Sequence, residues 1–181
     1  MGTQHAIKGI GLIVVYASLS WLAWGCNPAD QPPRDSHQGF EQNGQLALYQ
    51  SEALGVSFPL PESTYVQAQG QRLTLWTKAD YQRREEFIEA TPLSIVAEEN
   101  PDRLTVQAWV AAQGYQLLGD LEDQAVGGYP GLRFTWLGMW PYTSVVVAHP
   151  NRGTIITITW DNDSLDYQDW FEAIIAGLAL R

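Results

Sequence analysis

From residue 46 onward the chain runs in short stretches that alternate apolar and polar side chains, the period of two expected of half-buried strands. Residues 46–50 and 56–58 flank the segment SEALG, which predicts a small hairpin whose second strand is ended by Pro59 and Pro61. Residues 72–77 put Leu73 and Leu75 on one face and Arg72, Thr74 and Trp76 on the other; residues 93–97 repeat that logic. Later, Leu132, Phe134 and Trp136 share a face opposite Arg133 and Thr135. Ile156, Ile158 and Trp160 share one opposite Thr157 and Thr159. Between these two runs lies the valine-rich segment 142–148, joined to the last strand by the turn HPNRG. Three strands with such short links predict an antiparallel meander. A period of 3.6 appears twice. Trp170, Phe171, Ile174, Ile175 and Leu178 form one apolar stripe, with Ser164 and Asp166 as candidate caps. Val106, Trp109 and Val110 mark a helix within 104–113 that Gly114 is placed to end. Residues 80–90 are charged and expected to be helical. Helices laid on an antiparallel sheet make an α+β fold.

The pattern ahead of residue 46 is different. After Lys8 an uncharged apolar run extends to Gly25, and the chain's only cysteine, Cys26, follows. A basic start, an apolar middle and a small residue before the cut are the layout of a signal peptide. Gly25-Cys26 resembles the end of a bacterial lipobox, in which the cysteine thiol is acylated; Leu22 and Ala23 fit loosely, whereas Trp24 is bulkier than usual there. The other reading is an uncleaved anchor helix, and both leave the protein held on a membrane by its N-terminus. Residues 27–45, rich in Pro, Gln, Asn and Gly, read as a flexible tether reaching a few nanometres. The expected organisation is therefore a leader or anchor over 1–25, a tether over 26–45 and one domain over 46–181.

Hydrophobic residues at 45% leave ample material for a core, and a single cysteine excludes an intramolecular disulfide. The formal net charge is −10, and Lys8 is the only charge of the first 25 residues, so the remainder is more acidic still. That surface repels phosphate backbones and excludes nucleic acid as a partner.

The chemistry-bearing residues are sparse. Of three histidines, His5 and His37 precede the domain and His149 ends a strand beside a Pro-Asn turn, where it reads as a surface residue. No G-x-S-x-G elbow accompanies a second histidine in the domain, so no catalytic triad is expected, and neither catalysis nor a cofactor is predicted. Asp161, Asp163 and Asp166, with Glu172 twelfth in line, approach the spacing of a calcium loop. Leu165 and Asp166 fall where that loop needs a ligand and a glycine, so helix capping competes with weak divalent-ion binding. The turn WLGMWP carries two bulky apolar residues, Met139 and Trp140, beside Tyr142. These three are the candidate partner-binding residues, and the competing reading folds them under a helix.

The run LGVSFPLPESTY, the helix TVQAWVAAQ, the segment AVGGYPGLRFTW and the closing YQDWFEAIIAGLAL together resemble the PsbP-like family, including its cyanobacterial-type lipoproteins. Gly128, Tyr129 and Pro130 match the family's Gly-x-Pro entry to a hairpin, while Val56 stands where an aromatic is common; the resemblance spans residues 46–180. It implies an α/β/α sandwich with a central, mainly antiparallel sheet. It also implies an extrinsic or assembly-assisting role at a membrane complex such as photosystem II, on the periplasmic or thylakoid-lumenal side. The alternative expectation is a periplasmic or lumenal module that binds a small ligand or a divalent cation.

Overall fold

A computed structural model describes residues 47–61, 63–86 and 91–181. The leader, the tether, Cys26, His5 and His37 lie outside the described residues. In chain order the strands are β1 (Ala47–Ser51), β2 (Val56–Leu60), β3 (Tyr65–Gln69), β4 (Arg72–Trp76), β5 (Leu93–Glu99), β6 (Gln116–Leu117), β7 (Glu122–Val126), β8 (Tyr129–Leu137), β9 (Pro141–Ala148), β10 (Thr154–Asp161) and β11 (Ala179–Leu180). The helices are α1 (Lys78–Gln82), α2 (Val106–Gln113) and α3 (Gln168–Gly177).

Every pairing is antiparallel. A small sheet has the order β1-β2-β11, and a large one the order β3-β4-β5-β10-β9-β8-β6, with β7 also paired to β8. The predicted meander is β8-β9-β10, and β5 inserts beside β10 to connect it with the β3-β4 hairpin. Because side chains alternate across a strand, this register sorts the large sheet into two faces. On one face Leu73, Leu75, Leu93, Ile95, Val145, Val147, Ile156 and Ile158 pack against Phe171, Ile174 and Ile175 of α3 and Val56 and Phe58 of β2. On the other, Phe134, Val146 and Ile155 receive Trp109 and Val110 of α2. Helices on both faces of a mainly antiparallel sheet give the α+β, three-layer arrangement expected.

Local chemistry accounts for the helix ends. Thr105 Oγ1 accepts from the Ala108 backbone N–H at 3.2 Å, and Gly114 closes α2 at φ 71, a left-handed conformation that costs a glycine little. The start of α3 differs from expectation: neither Ser164 nor Asp166 caps it. Tyr167 occupies the cap position without a side-chain hydrogen bond, and Ser164 instead accepts the Trp160 indole N–H through its carbonyl at 2.9 Å. The expected helix over 80–90 is represented by the five residues of α1 and a 3₁₀ turn, Arg84–Glu86.

The approach to α3 is held by a polar knot. The Tyr167 hydroxyl donates to Asp80 Oδ2 at 2.6 Å and accepts from the Thr77 N–H at 2.9 Å, while Thr77 Oγ1 donates to the same carboxylate at 2.9 Å. Burial alone would raise the Asp80 pKa. The hydrogen bonds from Tyr167, Thr77 and Arg83 outweigh it and hold the carboxyl below its ordinary 3.8.

β8 is hydrogen-bonded on both edges at Gly131, which faces Gln124 of β7 and Val147 of β9. A Cβ there would sit 2.5 Å from the Val146 carbonyl oxygen and 2.9 Å from that of Gln124, and neither ladder can retreat without losing pairing. Gly131→Ala is expected to lower stability by about 1–3 kcal/mol. Gly119→Ala, which meets open space, is expected to stay within about 0.5 kcal/mol of wild type. Urea unfolding of both variants checks the contrast. The Asp80 knot predicts a pH dependence of definite sign. A carboxyl with a lowered folded pKa stabilises above its unfolded pKa, and that contribution fades as acid protonates it. Tyr167→Phe should therefore move the Asp80 titration, followed by carboxyl-carbon NMR, upward toward 3.8 and make unfolding set in at higher pH on acidification.

Candidate functional site

The register places hydroxyl side chains in line across four strands. Thr74 pairs with Ser94, Ser94 with Thr159 and Thr159 with Ser144, all on the face that carries α2. Thr157 stands beside this row, with Arg72 two residues before Thr74. Where α2 covers that face the residues are apolar. Next to it the face opens into a groove of about 380 Å³ whose floor includes Ser94, Thr157 and Thr159 and whose lining also includes Arg72 and Glu98.

One wall is aromatic. The Trp136 and Tyr142 rings stack at 4.9 Å, Tyr115 tilts against Trp136 at 4.8 Å, and Met139 completes the lining. The floor and wall are joined by a hydrogen-bond chain in which Trp136 Nε1 donates to Ser144 Oγ at 3.0 Å and Ser144 Oγ meets Thr159 Oγ1 at 2.9 Å. Thr157 Oγ1 donates to Glu98 Oε2 at 3.3 Å. Burial, aided by the Glu98 charge, pushes the Tyr115 hydroxyl up to about 12. The Ser94 hydroxyl borders the groove rather than bonding within the floor, and Arg72 has no ion-pair partner among the described residues.

A second feature adjoins the groove at the β8–β9 turn. Met139 and Trp140 are 58% and 46% exposed, which places them in solvent rather than under a helix. β6 brings two more apolar residues to this end of the sheet: Gln116 pairs with Leu137, Leu117 with Trp136, and the Leu118 N–H bonds the Thr135 carbonyl at 2.9 Å. Leu117, Leu118 and Leu137 are all exposed. The turn and β6 thus gather exposed apolar side chains at one corner of the sheet, Leu117 on the Trp136 face and Leu137 on the other. Tyr142 is different, for it is 9% exposed and its ring belongs to the groove wall. Met139 and Trp140 were singled out by their bulk within a turn. The leucines were not, because only the pairing of β6 reveals them.

The acidic segment before α3 acts locally. Asp161 is buried, its Oδ1 accepts from the Asp163 N–H at 3.1 Å, and its carbonyl accepts from the Ser164 N–H at 2.9 Å. Burial, with the Asp163 charge, raises its pKa. Asp163 and Asp166 are exposed, and among the described residues no three histidines, cysteines or carboxylates form a group that could hold a metal ion. His149 corrects the surface expectation. It is buried, its Nδ1 accepts from the Asn151 N–H at 3.2 Å, and its Nε2 donates to the Gly55 carbonyl at 3.1 Å, which locks the first hairpin to the β9–β10 turn. Among the described residues no helix is long and apolar enough to cross a membrane.

No family model matches the chain, and no curated protein matches it significantly in sequence. Among solved structures it is similar to the solution structure of cyanobacterial PsbP (CyanoP) from Synechocystis sp. PCC 6803, at 17% sequence identity and a TM-score of 0.47. The similarity covers 79% of this chain and 96% of that one.

Proposed function

We propose that this is an exported, membrane-tethered accessory or assembly protein, without catalytic activity, that docks on a membrane complex through the corner of Leu117, Leu118, Leu137, Met139 and Trp140. The observation that carries this reading is the corner itself. Apolar side chains gathered in solvent at one end of an otherwise acidic domain mark an interaction surface. Burying such a side chain contributes about 1.5–3 kcal/mol, and a central tryptophan is the residue type most often decisive in an interface. Two features of the sequence limit where the partner sits. The apolar segment ending at Cys26 is of the kind that exports and anchors a chain, and the short tether keeps the domain within a few nanometres of the bilayer. The partner is then a membrane protein complex facing the periplasm or the thylakoid lumen, and the resemblance of the sequence to PsbP-like proteins makes a photosystem the first complex to try.

The alternative, a module that binds a small ligand, is favoured by the groove beside the corner, which combines aromatic contact with convergent polar groups.

Crosslinking in native membranes, followed by recovery of the complex, tests the docking reading. Met139→Ser with Trp140→Ser, both on the surface, should leave the melting temperature within a few degrees and lower partner recovery about tenfold or more. Equal recovery of a folded variant refutes it. The anchor is tested separately by mass spectrometry of the membrane-extracted chain, in which a diacylated N-terminal Cys26 is expected. Cys26→Ser should leave an unprocessed leader, and finding wild-type protein unacylated would remove lipidation from the account.

A further inference from the structure

We propose that the groove on the open face of the large sheet binds an uncharged polyhydroxyl group about the size of one or two sugar rings. The proposal rests on the ligand-binding alternative and shares only Met139 with the docking corner.

Three observations converge. The first is the floor. Ser94, Thr157 and Thr159 line it, within a hydroxyl row that Thr74 and Ser144 extend to either side, where the neighbouring part of the same face is Phe134, Val146 and Ile155. A hydroxyl offers one donor and two acceptor positions, and the bonds made within the floor leave Thr157 and Thr159 with unused capacity. Ser94 also lines the groove, and its hydroxyl is free to donate and accept there. Three hydroxyls set around Val96, each able to donate and accept, match a ligand that carries hydroxyls on adjacent carbons, as sugars do.

The second observation is charge. Arg72 and Glu98 contribute one positive and one negative group to the lining, so the groove as a whole favours neither anions nor cations. Each head is planar and two-pronged. A guanidinium donates to, and a carboxylate accepts from, two adjacent oxygens, the spacing of a vicinal diol. Tyr115, also in the lining, adds a phenolic donor.

The third is the wall of Trp136, Tyr142 and Met139, an apolar surface against which the C–H side of a sugar ring can lie. About 380 Å³ accommodates such a ligand, and the volume is at the lower end of the range typical of small-molecule sites. The same head group can arrive as a free saccharide or as the head of a glycolipid.

The full-length chain in phosphatidylcholine nanodiscs is titrated with glucose, galactose, maltose and dodecyl maltoside below its micelle concentration. Glycine betaine and glutamate serve as non-sugar controls. Binding is read by calorimetry and by the indole N–H resonance of Trp136. Saturable binding of at least one sugar is expected. Thr157→Val, Thr159→Val and Ser94→Ala, which preserve shape, should each weaken it about three- to tenfold; Arg72→Gln, an exposed change that leaves the floor intact, is the second variant should those fail to fold. Binding of maltose indicates a free saccharide, and binding of dodecyl maltoside alone indicates a lipid head group; either supports the proposal. Binding of the controls without the sugars overturns the ligand class while leaving the groove a ligand site. No binding by folded wild type, or sugar binding unchanged in every variant, overturns the proposal, and neither result bears on docking, which Trp140→Ser probes separately.

Discussion

The hydrogen-bonded register of β4, β5, β10, β9 and β8 is the constraint on which the rest of the structure depends. It fixes which residues of five strands stand side by side, and a shift of one residue in any pairing would send that strand's isoleucines and valines to the wrong face. With the observed register, one face supplies a continuous apolar bed for α3 and the small sheet, and the other is divided. Its β8–β9 end carries apolar side chains under α2, and its middle carries hydroxyls. The groove is therefore a product of the same pairing that builds the core, and its floor inherits the stiffness of a sheet.

Position within this framework explains why β8 tolerates no side chain at Gly131. The strand is squeezed between two ladders just where it leaves the Gly-Gly-Tyr-Pro turn. The link from β8 to α3 is of another kind: Arg133 makes paired contacts with Glu172, at 2.6 and 3.2 Å, while its guanidinium lies over Phe171. Both groups are partly exposed, so this pair orients α3 more than it stabilises it.

How much of this was legible in the chain follows from how local each signal is. The meander, the first hairpin, α2 and α3 were readable because alternation or a 3.6-residue stripe ran through each of them. β7 was not, since EDQAV buries only Val126; β3 buries only Val66, and β6 and β11 are two residues long and exist through their partners. His149 was misjudged because its burial depends on Gly55, far away in sequence. The candidate sites divide in the same way. Met139 and Trp140 stand out in their own turn, and Thr157 and Thr159 in their own strand. Ser94 and the leucines of the corner become part of a site only when distant strands pair.

Met139 lines the groove and also projects from the corner. Its unbranched thioether can swing about three bonds and fit more than one neighbour. Were both surfaces to be occupied, the two occupants would share a single movable side chain, and whatever affinity one lent the other would be returned in equal measure. In this small domain, separate tenancy of the two surfaces would be the outcome requiring explanation.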